Sequence, residues 1–375
     1  MKVLLLVIDG FGLGAFPDAL NKSEEIYGKI LKYGNLPTFS KLGIINLNNP
    51  RSRYNPMASY GYLKSMSEGT DIITLYFELM GLHIRKTYPT YPSGLPKELI
   101  DRIEKELATN IIGNIVVDGQ KVISDLGALH YNTGYPIIYT SPSSVMYVAA
   151  HEEIMPLSKL YEICSQIRQI MQGEHNIARV MASPFNGKVN DFYFTDNNKC
   201  YSVLPPAPTL LDVLEMRNID VYSIGKIYDI FNGQGITQSY NSREIGRSFD
   251  EIIRIIKQPD DGLIFASIET ADLSRDDDVK VYTECVEEID YRLGELMPLL
   301  NPEDLLIITS NHSYISSDES RMESGYMIPM IIYGGRIKSG VNLNTVEGLY
   351  SVAHTILDFY NINVMKKSFL SDVSK

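Results

Sequence analysis

Continuous apolar runs, each closed by polar or glycine-rich residues, recur along this chain at Val3–Ile8, Val221–Ile224, Leu263–Ile268, Leu305–Thr309 and Met330–Tyr333. Runs with no polar face are what strands look like when helices cover both sides of a parallel sheet. Helical spacing fills the intervals, at Thr209–Glu215 after Pro208, Ser248–Lys257, Val279–Leu300 and Thr345–Tyr360. The alternation predicts an α/β core with a mostly parallel central sheet covered by helices on both faces. The middle of the chain reads differently. Pro89, Pro92 and Pro96 lead into an amphipathic stretch at Pro96–Leu107, short strand-like runs follow at Ile112–Val117 and Ile137–Tyr139, and Pro205, Pro206 and Pro208 punctuate the return. The expectation is a core made from residues 1–86 and 205–375, interrupted by an inserted α+β cap domain of residues 87–204.

Composition narrows the partners. A chain of 375 residues that is 44% hydrophobic can bury a large core. Its formal charge of -12 argues against a nucleic-acid or anionic-membrane surface, because phosphate backbones repel an acidic protein. Cys164, Cys200 and Cys285 are widely spaced and match no zinc-ligand pattern, so a reducing cytoplasm is the expected setting. The opening Val3–Ile8 run ends in Asp9-Gly10 rather than at a small-residue cleavage site, which reads as a buried strand and not as a secretory signal. No stretch reaches the roughly 18 uninterrupted apolar residues of a membrane helix.

In open parallel sheets, ligands bind beyond the carboxyl ends of the strands. Three such places carry chemistry: Asp9 with the glycines that follow it, Ser267 through Asp272 and on to Asp276–Asp278, and Thr309 through His312. Together they offer Asp9, Glu269, Asp272, Asp277, Asn311 and His312, an oxygen-rich set with one imidazole that suits magnesium or manganese. Taken singly, an Asp after a strand is as readily a helix N-cap. Asp276–Asp278 likewise reads as the solvated start of a helix. The glycines after Asp9 do not make a dinucleotide site: the third glycine is out of register, and a carboxylate stands where a pyrophosphate would approach.

With these residues in view, the chain resembles the phosphopentomutase family of alkaline-phosphatase-like metalloenzymes, collinearly over nearly its whole length. The segments that carry the resemblance are Val7-Ile-Asp-Gly-Phe-Gly-Leu-Gly-Ala-Phe-Pro-Asp-Ala19, Gly69-Thr-Asp71 with Phe77-Glu-Leu-Met-Gly-Leu82, Ile111-Ile-Gly-Asn114, Tyr139-Thr-Ser141, Ala149-Ala-His-Glu-Glu153, Ile224-Gly-Lys-Ile-Tyr-Asp-Ile230 and Leu306-Ile-Ile-Thr309. The resemblance implies interconversion of ribose 1-phosphate and ribose 5-phosphate, two manganese ions and a phosphorylated threonine. It places the metal aspartate on Asp9. It also places the nucleophile on Ile72, because the family's Gly-Lys-Asp-Thr reads here Gly69-Thr70-Asp71-Ile72.

An isoleucine has no oxygen to accept phosphate. Thr70 and Thr74 are the nearby substitutes, and Thr74, two residues on, turns about 200° around a helix toward its opposite face. Other implied ligands have drifted. Asp277 stands for a histidine beside Asp272, Asn311 for an aspartate before His312, and the last histidine falls on Glu323, or on Glu319 under another anchor. The implied site is one or two divalent ions, manganese or magnesium. On the substrate side, Ser141 and Lys226 keep matching positions, Ser143 replaces an aspartate, Ser183 replaces an arginine, and Lys199 offers partial compensation. Lys226 also reads as an ordinary surface lysine and His151 as a structural residue of the cap. Cys164 and Cys285 read as small core residues, and His83, His130, His175 and His354 match no ligand role.

Three functional readings stand at this point. One is a divergent phosphopentomutase-like protein that binds a divalent metal and a phosphorylated small molecule, with ordinary mutase turnover weak or lost. Another is a metal-dependent phosphoester hydrolase or phosphotransferase that works through activated water without a covalent intermediate. The third is a non-catalytic binding or assembly protein whose partner is another protein.

Overall fold

The computed structural model describes the chain except residues 12–13, 16–27, 31–32, 49–53, 70, 118, 271–277, 312–325 and 364–366. Two compact units emerge: Met1–Arg85 with Pro205–Tyr228 and Gly233–Lys375, and Lys86–Leu204 with the short segment Asp229–Asn232. No helix among the described residues is long and apolar enough to cross a membrane.

The first unit is built on a sheet of nine strands among the described residues. From edge to edge run Gln238–Tyr240, Asp220–Ile224, Gly262–Ile268, Lys2–Ile8, Leu305–Ser310, Tyr326–Gly334, Ser59–Lys64 and Asn342–Glu347, with Gly14–Ala15 pairing beside Tyr326–Gly334. The first five are parallel. Every residue of Lys2–Ile8, Gly262–Ile268 and Leu305–Ser310 is buried, which is why these strands read as unbroken apolar runs. Register then does the positioning. Val7 lies opposite Ser267 and Thr309, and Ile8 opposite Ile268 and Ser310, so the three strands end level and bring Asp9, Glu269 and Asn311 to one edge.

Two expectations are corrected here. The run at Met330–Tyr333 belongs to Tyr326–Gly334, which is antiparallel to both neighbours; a strand buried on both faces carries the same apolar pattern in either direction. The expected helix Thr345–Tyr360 is a strand, Asn342–Glu347, followed by a shorter helix, Ser351–Phe359. Gly348 separates them at φ 86, with its N–H on Lys64 O at 2.9 Å. A Cβ there would fall 2.1 Å from the Tyr350 ring, so the break is written into the residue.

The second unit is an α+β layer. Its six described strands run Ile112–Val116, Ile137–Thr140, Val145–His151, Arg179–Lys188 and Asp191–Phe194, with Lys199–Ser202 also pairing Arg179–Lys188. Pairing is mixed, parallel between Ile112–Val116 and Ile137–Thr140 and antiparallel from there to Val145–His151. Helices Lys97–Leu107 and Leu157–Ile170 contribute Leu99, Ile103, Ile163 and Ile167 to one apolar cluster. Helix Gly119–Thr133 contributes Val122 and Ile123 to another, with Phe185 and Phe192.

Candidate active site

Asp9 follows the last residue of the central strand, and its main chain is pinned. Its N–H donates to Ile268 O at 3.0 Å, while its carbonyl accepts from Thr270 Oγ1 at 3.1 Å and from the Tyr282 hydroxyl at 3.2 Å. The carboxylate is held as firmly. Asn311 Nδ2 donates to Asp9 Oδ1 at 2.6 Å, Ser267 Oγ lies 3.5 Å from the same oxygen, and the Lys226 ammonium pairs with Oδ2.

Lys226 reaches Asp9 because of the residue before it. Gly225 closes the strand Asp220–Ile224 at φ 73, with its N–H on Tyr240 O at 3.0 Å. A Cβ at Gly225 would sit 2.3 Å from Ser267 O, so only glycine lets this turn lie against the neighbouring strand. The pair is partly open to water, with Asp9 15% and Lys226 24% exposed. Asn311 is oriented by Gly10, whose N–H donates to Asn311 Oδ1 at 3.3 Å. That bond takes one lone pair of the carbonyl oxygen, and the amide nitrogen faces Asp9, so Asn311 orients the Asp9 carboxylate.

A further link joins Asp9 to the helix Ile72–Leu79. The Tyr76 hydroxyl is 2.8 Å from Ser267 Oγ, in a fully buried setting. Burial, followed by the nearby Asp9 carboxylate, raises the Tyr76 pKa well above the usual phenol value. Tyr76 thus stays a neutral phenol, hydrogen-bonded to the Ser267 hydroxyl that lies beside Asp9 Oδ1. Composition and spacing did not mark this tyrosine, which reads as one more core aromatic in an apolar stretch.

The same helix carries the position where the resemblance puts a nucleophile. Asp71 is its N-cap, accepting from Ile73 N–H at 2.8 Å, and Ile72 is its first residue, half-buried. Thr74 is wholly buried on the helix, and its hydroxyl has no hydrogen-bond partner among the described residues. Glu78, also wholly buried, accepts from Ser65 Oγ at 2.7 Å and from the backbone N–H groups of Met66, Leu349 and Ser67 at 2.9, 3.0 and 3.1 Å. This anchor was missed; its signal is a single carboxylate inside the apolar run Leu75–Met80.

Asp272, Asp277, His312, Glu323, its alternative Glu319, and Thr70 lie outside the described residues. Among the described residues no group of three or more His, Cys, Asp or Glu could hold a metal ion. The described part of the site nevertheless fits one in chemistry. Asp9 supplies a hard carboxylate oxygen of the kind magnesium and manganese take. The partner on its Oδ2 is an ammonium on a flexible stem, which can yield its place.

In the second unit, Ser141 Oγ and Ser143 Oγ hydrogen-bond each other at 2.7 Å. The Lys199 ammonium lies 5.3 Å from the Tyr201 ring centre and 5.5 Å from that of Tyr161, a cation–π arrangement. His151 is buried, with Nε2 3.0 Å from Gly187 O and Nδ1 accepting from Glu153 N–H at 3.2 Å, and its own N–H donates to His130 Nε2 at 2.8 Å. Both histidines are structural here.

This combination of a mostly parallel sheet, a carboxylate at the end of its central strand and an oxygen-rich edge accords with a known class: the chain belongs to the metalloenzyme superfamily, whose family model matches residues 1–364. Within that class it belongs to the phosphopentomutase family. It is 35% identical to the phosphopentomutase of Clostridium novyi (strain NT), over 100% of this chain and 99% of that protein. It is 37% identical to that of Caldanaerobacter subterraneus subsp. tengcongensis, over 96% and 94%. A solved protein from Pyrococcus horikoshii superposes with a TM-score of 0.50 at 14% identity, covering 98% of this chain and 99% of that one, a likeness of fold. A protein in the alkaline phosphatase superfamily from Vibrio parahaemolyticus has a TM-score of 0.44 at 10% identity, over 97% and 67%.

Proposed function

We propose that this protein binds a pentose phosphate together with a divalent cation, manganese or magnesium, in a phosphopentomutase-type site whose covalent mutase turnover is weak or lost. Ile72 at the nucleophile position carries this reading. A mutase that works through a phosphoenzyme needs an activated hydroxyl there, and a branched alkyl side chain supplies none. Thr74 does not replace it, because its hydroxyl is sealed inside the packing of its helix. Asp9, Asp272, Asp277, Asn311, His312 and Glu323 would hold the cation, which when bound neutralises charge on phosphoryl oxygens. Lys226 is the cationic side chain best placed to meet a phosphate, and Ser141, Ser143 and Lys199 are the candidate sugar contacts. A cytoplasmic setting accords with the three free cysteines, Cys164, Cys200 and Cys285.

The experiment is to follow ribose 1-phosphate and ribose 5-phosphate by phosphorus NMR with manganese present, using wild type, Ile72→Thr and Ile72→Thr combined with Thr70→Lys. Wild type is expected to leave the two sugars unconverted while calorimetry registers ribose 5-phosphate binding. Turnover by wild type at an ordinary enzymatic rate, about 1 per second or more, would overturn the reading.

A further inference from the structure

We propose that Lys226 and a divalent cation are alternative partners of Asp9 Oδ2, so that loading the ion releases the ammonium to receive a phosphoryl group. The inference rests on the metal-binding part of the proposed function and deepens it. Asp9 has little freedom of its own: its N–H and carbonyl are fixed by Ile268, Thr270 and Tyr282, and its Oδ1 is held by Asn311, which Gly10 orients in turn. The one described partner with room to move is Lys226, a four-carbon stem on a glycine turn, paired at Oδ2 and 24% exposed.

A cation approaching that oxygen meets an ammonium already seated on it, and two positive charges on one oxygen repel. The ion therefore binds by displacing the lysine. Displacement leaves the ammonium at the carboxyl-end edge of the sheet, where ligands of open α/β sheets bind, with its charge no longer matched by Asp9. Metal and phosphate then bind with positive linkage: each strengthens the other through the same side chain.

Calorimetric titration of Mn²⁺ into wild type, Lys226→Met, Lys226→Gln and Lys226→Arg tests the exchange without reference to turnover. Lys226→Met is expected to bind manganese about fivefold more tightly, a factor that corresponds to about 1 kcal/mol, the upper end of what a partly exposed ion pair contributes. Lys226→Gln is expected between the two, and serves in its place should the methionine variant fail to fold. Lys226→Arg, which keeps the charge, is expected to gain nothing. At saturating manganese, inorganic phosphate should bind wild type more tightly than Lys226→Met. Equal manganese affinities in wild type, Lys226→Met and Lys226→Gln would overturn the exchange and leave the proposed function standing. Absence of manganese binding in all four proteins would overturn both.

Discussion

Glu78→Ala tests how the helix that begins at Ile72 is fixed. The wild-type carboxylate gathers four donors: the Ser65 hydroxyl and the N–H groups of Met66, Ser67 and Leu349. It thereby ties the helix Ile72–Leu79 both to the chain leaving strand Ser59–Lys64 and to the chain entering helix Ser351–Phe359. Truncation leaves Ser65 Oγ and Leu349 N–H without their acceptor in a buried setting, at about 1–3 kcal/mol each. The bonds to Met66 and Ser67 are only partly buried, and water recovers most of their loss. The sum is about 2–6 kcal/mol. At roughly 2 °C per kcal/mol for a unit of this size, the melting temperature should fall by about 4–12 °C. Differential scanning calorimetry of wild type and Glu78→Ala measures this directly, with urea unfolding giving the free energy independently. A loss below about 0.5 kcal/mol, the range of an ordinary surface substitution, would show that the carboxylate does not anchor these segments.

Three further outcomes follow from the same geometry. Gly225→Ala should cost more than about 2 kcal/mol, since it combines a positive φ with a Cβ against Ser267 O; urea unfolding reads the cost, and a neutral substitution would contradict the turn described for Lys226. Burial lowers the His130 pKa below its ordinary 6.5, and both ring nitrogens are engaged in the neutral form. The stability it confers is therefore complete above about pH 6.5 and is lost as pH falls toward the folded-state value; denaturant melts of wild type and His130→Gln between pH 7.5 and 5 should show a steeper loss in wild type, and parallel curves would refute the assignment. Asn311→Asp replaces a donor to Asp9 with a second carboxylate, so without added ion the variant should be less stable by about 1–2 kcal/mol. Its manganese affinity should rise at least about tenfold, the factor for 1.4 kcal/mol of added attraction, and calorimetry showing unchanged affinity would count against an ion at Asp9.

Much of this core was legible because burial leaves a plain mark. Strands covered on both faces must be apolar throughout, so Val3–Ile8, Leu263–Ile268 and Leu305–Thr309 announced themselves, and level strand ends put Asp9 and Asn311 together. Direction and termination were less visible. Nothing in Met330–Tyr333 distinguishes an antiparallel strand, and the split of Thr345–Tyr360 depends on one glycine whose positive φ shows only in three dimensions.

The site was legible where the resemblance supplied a frame and opaque where side chains meet across strands. Lys226 looked like a substrate contact or a surface lysine. Its pairing with Asp9 arises from strand order and the Gly225 turn, neither of which spacing encodes. Asn311 was read by its carbonyl, and spacing gave no sign that its amide nitrogen faces Asp9 while Gly10 N–H donates to its oxygen. Tyr76 and Glu78 sat inside an apolar helix and carried no mark beyond a hydroxyl and a charge where packing alone needs neither.

The central claim is that Ile72 removes the phosphoenzyme while leaving a ligand site behind. Peptide mass spectrometry after incubation with manganese and ribose 1-phosphate or ribose 5-phosphate tests it most directly. The account predicts no phosphorylated hydroxyl in the peptide containing residues 69–79 of wild type, and a phosphothreonine at position 72 once Ile72→Thr is combined with Thr70→Lys. Phosphate on Thr70 or Thr74 of the wild-type protein would contradict it.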